Sequence, residues 1–186
     1  MTVQRFQHHP SVAEFTISKH SYLAARPGVS FSCIATSTLV IDTRVGCTPR
    51  ILLLQRASCE KDDPNRWEPP GGACDDDDES ILHAAARELL EEAGLQTCII
   101  GGPVINRYFF SLDDGREVCR FYFAVGVKTD GEAPLLVRLN PEEHQSFVWA
   151  TEDQVKARKV DSIRLEFTTE TVAHTLLMAF QRFREF

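Results

Sequence analysis

The sequence predicts an α+β domain, a mixed and twisted sheet with a helix on each side. Three observations carry this. Runs such as FSCIATSTLVID (31–42) and RILLLQR (50–56) have the β-branched or compact apolar composition of strands. Two segments, 81–93 and 169–184, repeat apolar residues at helical spacing instead. The chain has 186 residues, 43% apolar and 25% charged, which suits one soluble domain with a sizeable core.

Each element has a local reason. VAEFTI (12–17) reads as a short strand. Ser18 caps a short helix to Ala25, which Pro27 and Gly28 end. Two strands follow, 31–42 and 50–56. Residues 57–80 hold Pro64, Pro69, Pro70, Gly71 and Gly72, so they form a loop. The helix 81–93 begins after the cap residue Ser80 and stops at Gly94, where a left-handed cap belongs. VINRYFFSL (104–112) and EVCRFYFAVGV (117–127) flank Asp114-Gly115, a hairpin signal. HQSFVWA (144–150) is a further strand, and Thr151 to Lys156 a short capped helix. The last helix carries the stripe Ala173, Leu176, Leu177, Phe180 and Phe183, with Thr168 as N-cap and Phe167 with Val172 as a staple. Core packing is the simplest use of such a stripe.

Composition excludes several classes. Net charge is −7, so there is no basic footprint for nucleic acid. No apolar run approaches the ~20 residues of a membrane span. The start, MTVQRFQHHP, lacks an apolar leader core, so no signal peptide is expected. Six cysteines, at 33, 47, 59, 74, 98 and 119, show no C-x-x-C spacing. They read as free thiols in a reducing, cytoplasmic compartment.

The chemistry concentrates on the helix ILHAAARELLEEAGL (81–95). Glu88, Glu91 and Glu92 fall within an arc of about 100°, while Leu82, Ala86, Leu89, Leu90 and Ala93 occupy another side. Like charges four apart disfavour a helix by ~0.2–0.5 kcal/mol per pair, and a divalent cation turns that repulsion into attraction. The spacing suits Mg²⁺ or Mn²⁺ and phosphate chemistry. On the helix alone, a solvated face with an Arg87–Glu91 pair is the simpler account.

The preceding loop changes that balance. WEPPGG (67–72) leads into ESILHAAARELLEEAGL (79–95), which closely resembles the Nudix hydrolase signature, G-x5-E-x7-R-E-U-x-E-E-x-G-U with U aliphatic. Glu79, Arg87, Glu88, Leu89, Glu91, Glu92, Gly94 and Leu95 match its fixed positions. One departure stands out: six residues, not five, separate Gly72 from Glu79, read as one extra loop residue. The resemblance spans about 30–158. It leaves 1–29 as an N-terminal extension and 165–186 as a C-terminal helix of one domain, 1–186.

The resemblance implies an α/β/α sandwich and a pyrophosphohydrolase of nucleoside diphosphates linked to a second group, or of related organic diphosphates. It implies Mg²⁺, with Mn²⁺ as a substitute, on Glu88 and Glu92, with Glu91 as third ligand. Arg87 orients Glu88, and Glu79 braces the loop against the helix. EHQSFVW (143–149) resembles a segment of diadenosine tetraphosphate hydrolases and makes Glu143 the later-loop general base, with Glu142 as competitor. Arg56, Trp67, Gly72 and Tyr108 are the substrate-binding candidates. The expected partner is a small-molecule diphosphate, without membrane or nucleic acid, and the resemblance also allows a homodimer. The alternative is a non-catalytic Nudix-fold module that binds a nucleotide metabolite, although the intact signature acids favour catalysis. Asp75 to Asp78 read as a solvated loop ahead of a helix N-terminus, where negative charge is favoured.

Overall fold

The structure is a computed structural model that describes residues 5–44, 48–104, 108–129 and 133–185. Its elements run in this order: β1 (Gln7–His8), a 3-10 helix (Pro10–Phe15), α1 (Lys19–Ala24), β2 (Cys33–Leu39), β3 (Ile41–Asp42), β4 (Arg50–Arg56), β5 (Trp67–Glu68), α2 (Ile81–Ala93), β6 (Thr97–Pro103), β7 (Tyr108–Ser111), β8 (Glu117–Val127), β9 (His144–Thr151), α3 (Glu152–Ala157), β10 (Lys159–Val160), β11 (Ile163–Arg164) and α4 (Glu170–Glu185).

Two mixed or antiparallel sheets and a small β10–β11 ladder result. In the first sheet β8 is the spine. It runs parallel to β2, antiparallel to β7 through its first half and antiparallel to β6 through its second. β1 adds to the outer edge of β6 in parallel. In the second sheet β4 is central and antiparallel to β3, β5 and β9. Two apolar clusters fill the domain. One seats Leu82, Ala85, Leu89 and Ala93 of α2 against Ile34, Leu52 and Leu54. The other seats Val172, Leu176 and Phe180 of α4 against Leu53, Trp67 and Val148. Helices therefore cover two faces of the β-structure, the expected sandwich.

Caps behave as the sequence implies. Ser80 Oγ accepts from the His83 amide, and Gly94 closes α2 at φ 68°, donating to the Leu90 carbonyl. Thr151 and Gln154 form a reciprocal capping box on α3. The hairpin turns at Gly115, with Leu112 and Arg116 bonded across it.

Five expectations need correction. The strand expected over 31–42 breaks at Val40 into β2 and β3, because the chain leaves its pairing with β8 there and takes up β4 in the other sheet. VAEFTI is not a strand: the 3-10 helix Pro10–Phe15 covers it, begun by Pro10 and capped by His9. Val12 and Phe15, three residues apart, line up on one side of a 3-10 turn and are both buried. β6, with the sequence TCIIGGP, was hidden by turn-like Gly101, Gly102 and Pro103. Of the strand expected over 104–112, Tyr108–Ser111 forms β7, Val104 and Leu112 are not in it, and residues 105–107 lie outside those described. The cap of α4 is Thr169, which directly precedes Glu170 and whose Oγ accepts from the Val172 amide.

Candidate metal centre

The loop before α2 is held as a strand-like strip along β2. Thr38 donates to the Pro70 carbonyl at 2.7 Å, Thr36 to Gly72 at 2.8 Å, and the Cys74 amide donates back to Ile34 at 2.9 Å. That strip explains the glycine pair. A Cβ on Gly71 would stand 2.1 Å from the Thr36 carbonyl oxygen, and its φ of +153° already favours glycine. A Cβ on Gly72 would stand 2.7 Å from the Glu88 carboxylate. Bare backbone here lets the Gly71 N–H donate to Glu92 Oε2 at 2.7 Å.

The three glutamates of α2 are not equivalent. Glu91 is about half exposed, Glu88 is largely covered, and Glu92 is only 5% exposed. Leu90, expected on the packing side, is instead 37% exposed, so the packed face is rotated toward Glu92. Burial pushes the Glu88 carboxyl up to about 7, against the pull of Arg87. Burial also raises Glu92 well above the usual carboxylate range, and the charges of Glu88, Glu68 and Glu143 add to it.

Arg87 ties this cluster together. Its Nη1 donates to Glu88 Oε1 at 2.9 Å and to Glu91 Oε2 at 3.0 Å. Its Nε and Nη2 form a two-pronged pair with Asp78, each at 3.0 Å, and Nη2 also reaches the Ala73 carbonyl. Burial works against the guanidinium charge, but Asp78, Glu88 and Glu91 together raise its pKa.

Here the structure revises two expectations. The brace between loop and helix is Asp78, not Glu79. Glu79 is largely exposed and faces His83 at 3.5 Å. Five residues separate Gly72 from Asp78, so the acid at the expected spacing is an aspartate, and the extra residue falls between it and Arg87. The aspartate run is therefore not uniformly solvated. Asp78 is covered and bonded, Asp76 pairs with Lys19 at 2.7 Å, and Asp75 and Asp77 remain exposed.

From the far side, the 140–144 segment closes on α2. The Asn140 amide donates to the Glu92 carbonyl, and the Arg138 amide to Ala93. Asn140 Nδ2 donates to Glu143 Oε1 at 3.0 Å. Ligand atoms of Glu92, Glu143 and His144 lie within 4.8 Å of one another. Glu143, rather than Glu142, thus reaches the cluster. His144 was not singled out by sequence reasoning, nor was Glu68. Glu68 is 6% exposed and paired with Arg56 at 2.7 Å.

The remaining candidates divide. Arg56 has its donors engaged by Glu68, Glu60 and the Asp62 carbonyl. Trp67 is 1% exposed in the second core, bridged to Phe167, so it packs the domain and is not placed to stack on a ligand. Tyr108 is half-buried and its ring stacks near Phe110.

The donor set fits a hard divalent cation. It offers several carboxylate oxygens. Among the described residues, buried Glu92 has no lysine or arginine partner. A buried carboxyl in that position takes up a proton unless a cation is held beside it.

A NUDIX domain family model matches residues 33–170. This chain belongs to the NUDIX family. Among curated proteins, it is 31% identical over 121 residues to the Danio rerio m7GpppN-mRNA hydrolase NUDT17. That match takes in 58% of this chain and 39% of the relative, so the chain spans about two fifths of the relative's length. Solved Nudix structures share the fold. The NUDIX domain of Shewanella oneidensis NrtR, in complex with ADP ribose, superposes with a TM-score of 0.61 at 16% identity, covering 90% of this chain and 99% of that one. A C. elegans Ap4A hydrolase binary complex gives 0.58 at 22% identity, covering 83% and 100%. The Nudix match begins at the first residue of β2 and ends at the first residue of α4.

Proposed function

We propose that this Nudix chain hydrolyses a diphosphate linkage in a nucleoside diphosphate joined to a second group, or in a related organic diphosphate, using Mg²⁺ or Mn²⁺. The observation that carries the reading is Glu92, a buried carboxylate set beside Glu88 with no lysine or arginine partner among the described residues. A divalent cation held there supplies charge neutralisation for the diphosphate and acidifies a water molecule.

The chain's own residues have separate tasks. Glu88 and Glu92 hold the cation, with Glu91 as the outer, more exposed ligand. The Gly71 N–H fixes the Glu92 carboxylate. Arg87 fixes Glu88 and Glu91, and Asp78 fixes Arg87. Glu143, steadied by Asn140, accepts the proton of the attacking water. Gly72, which we also assign to the substrate side of the site, brings side-chain-free backbone against the Glu88 carboxylate. Arg56, partly exposed, and Tyr108 are the side chains we assign to substrate. Rigid placement of charge supplies most of the catalysis in such chemistry.

The substrate is a small molecule rather than a nucleic-acid chain, on the strength of the net charge of −7. Five cysteines of the described residues are free thiols, which suits a reducing cytoplasm. A substrate panel tests the reading. It spans a m7GpppN cap dinucleotide, diadenosine tetraphosphate, ADP-ribose and nucleotide sugars, with phosphatase-coupled phosphate release. Hydrolysis of at least one member, lost with chelator and reduced by orders of magnitude in Glu92→Gln, is expected. Undiminished turnover in excess EDTA would sink the reading. Cation binding with no turnover of any member would leave a Nudix-fold sensor instead.

A further inference from the structure

His144 is a buried side chain with nothing to do in the protein alone. It is 2% exposed, and neither Nδ1 nor Nε2 has a hydrogen-bond partner. Leaving a buried polar group unpaired is costly, and native interiors avoid it. The nearest carboxylate oxygen, Glu92 Oε1, stands 4.0 Å from Nδ1, too far for a hydrogen bond. One oxygen each from Glu92 and Glu143 and one imidazole nitrogen lie within 4.8 Å of one another. Atoms at such separations do not bond to each other but can share an ion between them.

We propose that Glu92, Glu143 and His144 form a mixed oxygen–nitrogen cation site, with His144 as an inner ligand that selects Mn²⁺ or another transition ion over Mg²⁺. The inference rests on the reading of this centre as cation-binding and goes beyond the all-carboxylate set on α2. The backbone holds all three donors in place. His144 opens β9, opposite Arg56 at a bulge, and its amide donates to the Asn140 carbonyl at 2.9 Å. Asn140 also steadies Glu143, and its own amide ties the segment to Glu92. Arg56, whose charge is felt by the imidazole, is paired with Glu68 and Glu60, so that charge is already balanced. Mg²⁺ prefers oxygen donors throughout, whereas a site with one imidazole nitrogen accepts first-row transition ions, Fe²⁺, Ni²⁺ and Zn²⁺ more tightly and Mn²⁺ least tightly.

Pulsed EPR of the Mn²⁺-loaded protein tests this directly. Wild type is expected to show ¹⁴N coupling from a coordinated imidazole. His144→Gln is expected to lose that coupling and to bind Mn²⁺ at least about tenfold more weakly, with a smaller change for Mg²⁺. Glu143→Gln removes an exposed oxygen donor without disturbing the buried ring. It should weaken Mn²⁺ binding yet keep the coupling, which covers the case where His144→Gln does not fold. Mn²⁺ bound to wild type without nitrogen coupling, or coupling that persists in His144→Gln, overturns the histidine site alone. No Mn²⁺ binding at all would overturn both this site and the metal-dependent reaction.

Discussion

Asp78 is one of four consecutive aspartates, and nothing in the run itself distinguishes it. The distinction lies in what Arg87 can reach. Asp78 meets the guanidinium through two hydrogen bonds, while Asp75 stands 3.6 Å away and largely exposed. Removing the covered partner leaves Arg87 half-paired next to Glu88 and Glu91. Asp78→Asn is therefore expected to cost about 1–3 kcal/mol of stability and about tenfold or more in turnover, with KM for substrate little changed. Asp75→Asn combined with Asp77→Asn should leave both near wild type, since those carboxylates are solvated. Denaturant unfolding and steady-state kinetics decide it, and equal losses in the two proteins would remove Asp78 from the machinery. The signature acids were legible because their types and spacing are fixed by chemistry. Asp78 was not, since a one-residue shift between acid and helix is visible only in where the side chains meet. His144 was hidden for a similar reason: its neighbours come from α2, far away in the sequence.

At the level of elements, periodic segments were read well and short irregular ones were not. α2, β4, β8, β9 and α3 stand where their patterns put them, because each has a cap, a turn signal or an unbroken apolar run. β6 was lost to its Gly-Gly-Pro ending, which a strand tolerates here because its pairing with β8 shifts register there. The N-terminal extension, which the resemblance leaves without a role, is part of the first core. Phe15 packs its ring at 4.8 Å from Phe121 and 5.1 Å from Phe123, and is 3% exposed. Tyr22 joins the same group. Lys19 and His20 then reach Asp76 in the loop before α2. The extension thus buttresses β8 at Phe121 and Phe123 and ties to the loop before α2 at Asp76. Phe15→Ala is expected to destabilise by about 3–5 kcal/mol, the usual cost of emptying an aromatic core position. A change under about 1 kcal/mol in urea unfolding would place the segment at the periphery.

Across the whole molecule, the centre gathers carboxyl groups inside the domain, and their ionisation opposes folding unless a cation is held there. The sign can be worked out for Glu88. Its carboxyl sits near 4.5 when unfolded and is pushed up to about 7 by burial in the fold. Its contribution is fully present below about pH 4.5 and is lost as pH rises through about 7. His144 runs the other way. Burial, with Arg56, lowers it from 6.5 to about 4, so its contribution is present above 6.5 and lost as pH falls through 4. Over most of the interval the two oppose each other, and the wild-type curve alone cannot separate them. Glu88→Gln does separate them, because glutamine still accepts from Arg87 and carries no charge to desolvate. In metal-free protein the variant should gain on wild type from about pH 4.5 to 7 and level off near pH 8. The gain should reach on the order of a few kcal/mol. Saturating Mn²⁺ should reverse the order at pH 8, since the ion binds wild-type carboxylate and stabilises only the folded state. Thermal unfolding across pH, with and without Mn²⁺, reads both signs. A variant that is no more stable than metal-free wild type at pH 8 would show that Glu88 is not under electrostatic strain in the empty fold. The cation's role would then have to rest on Glu92 alone.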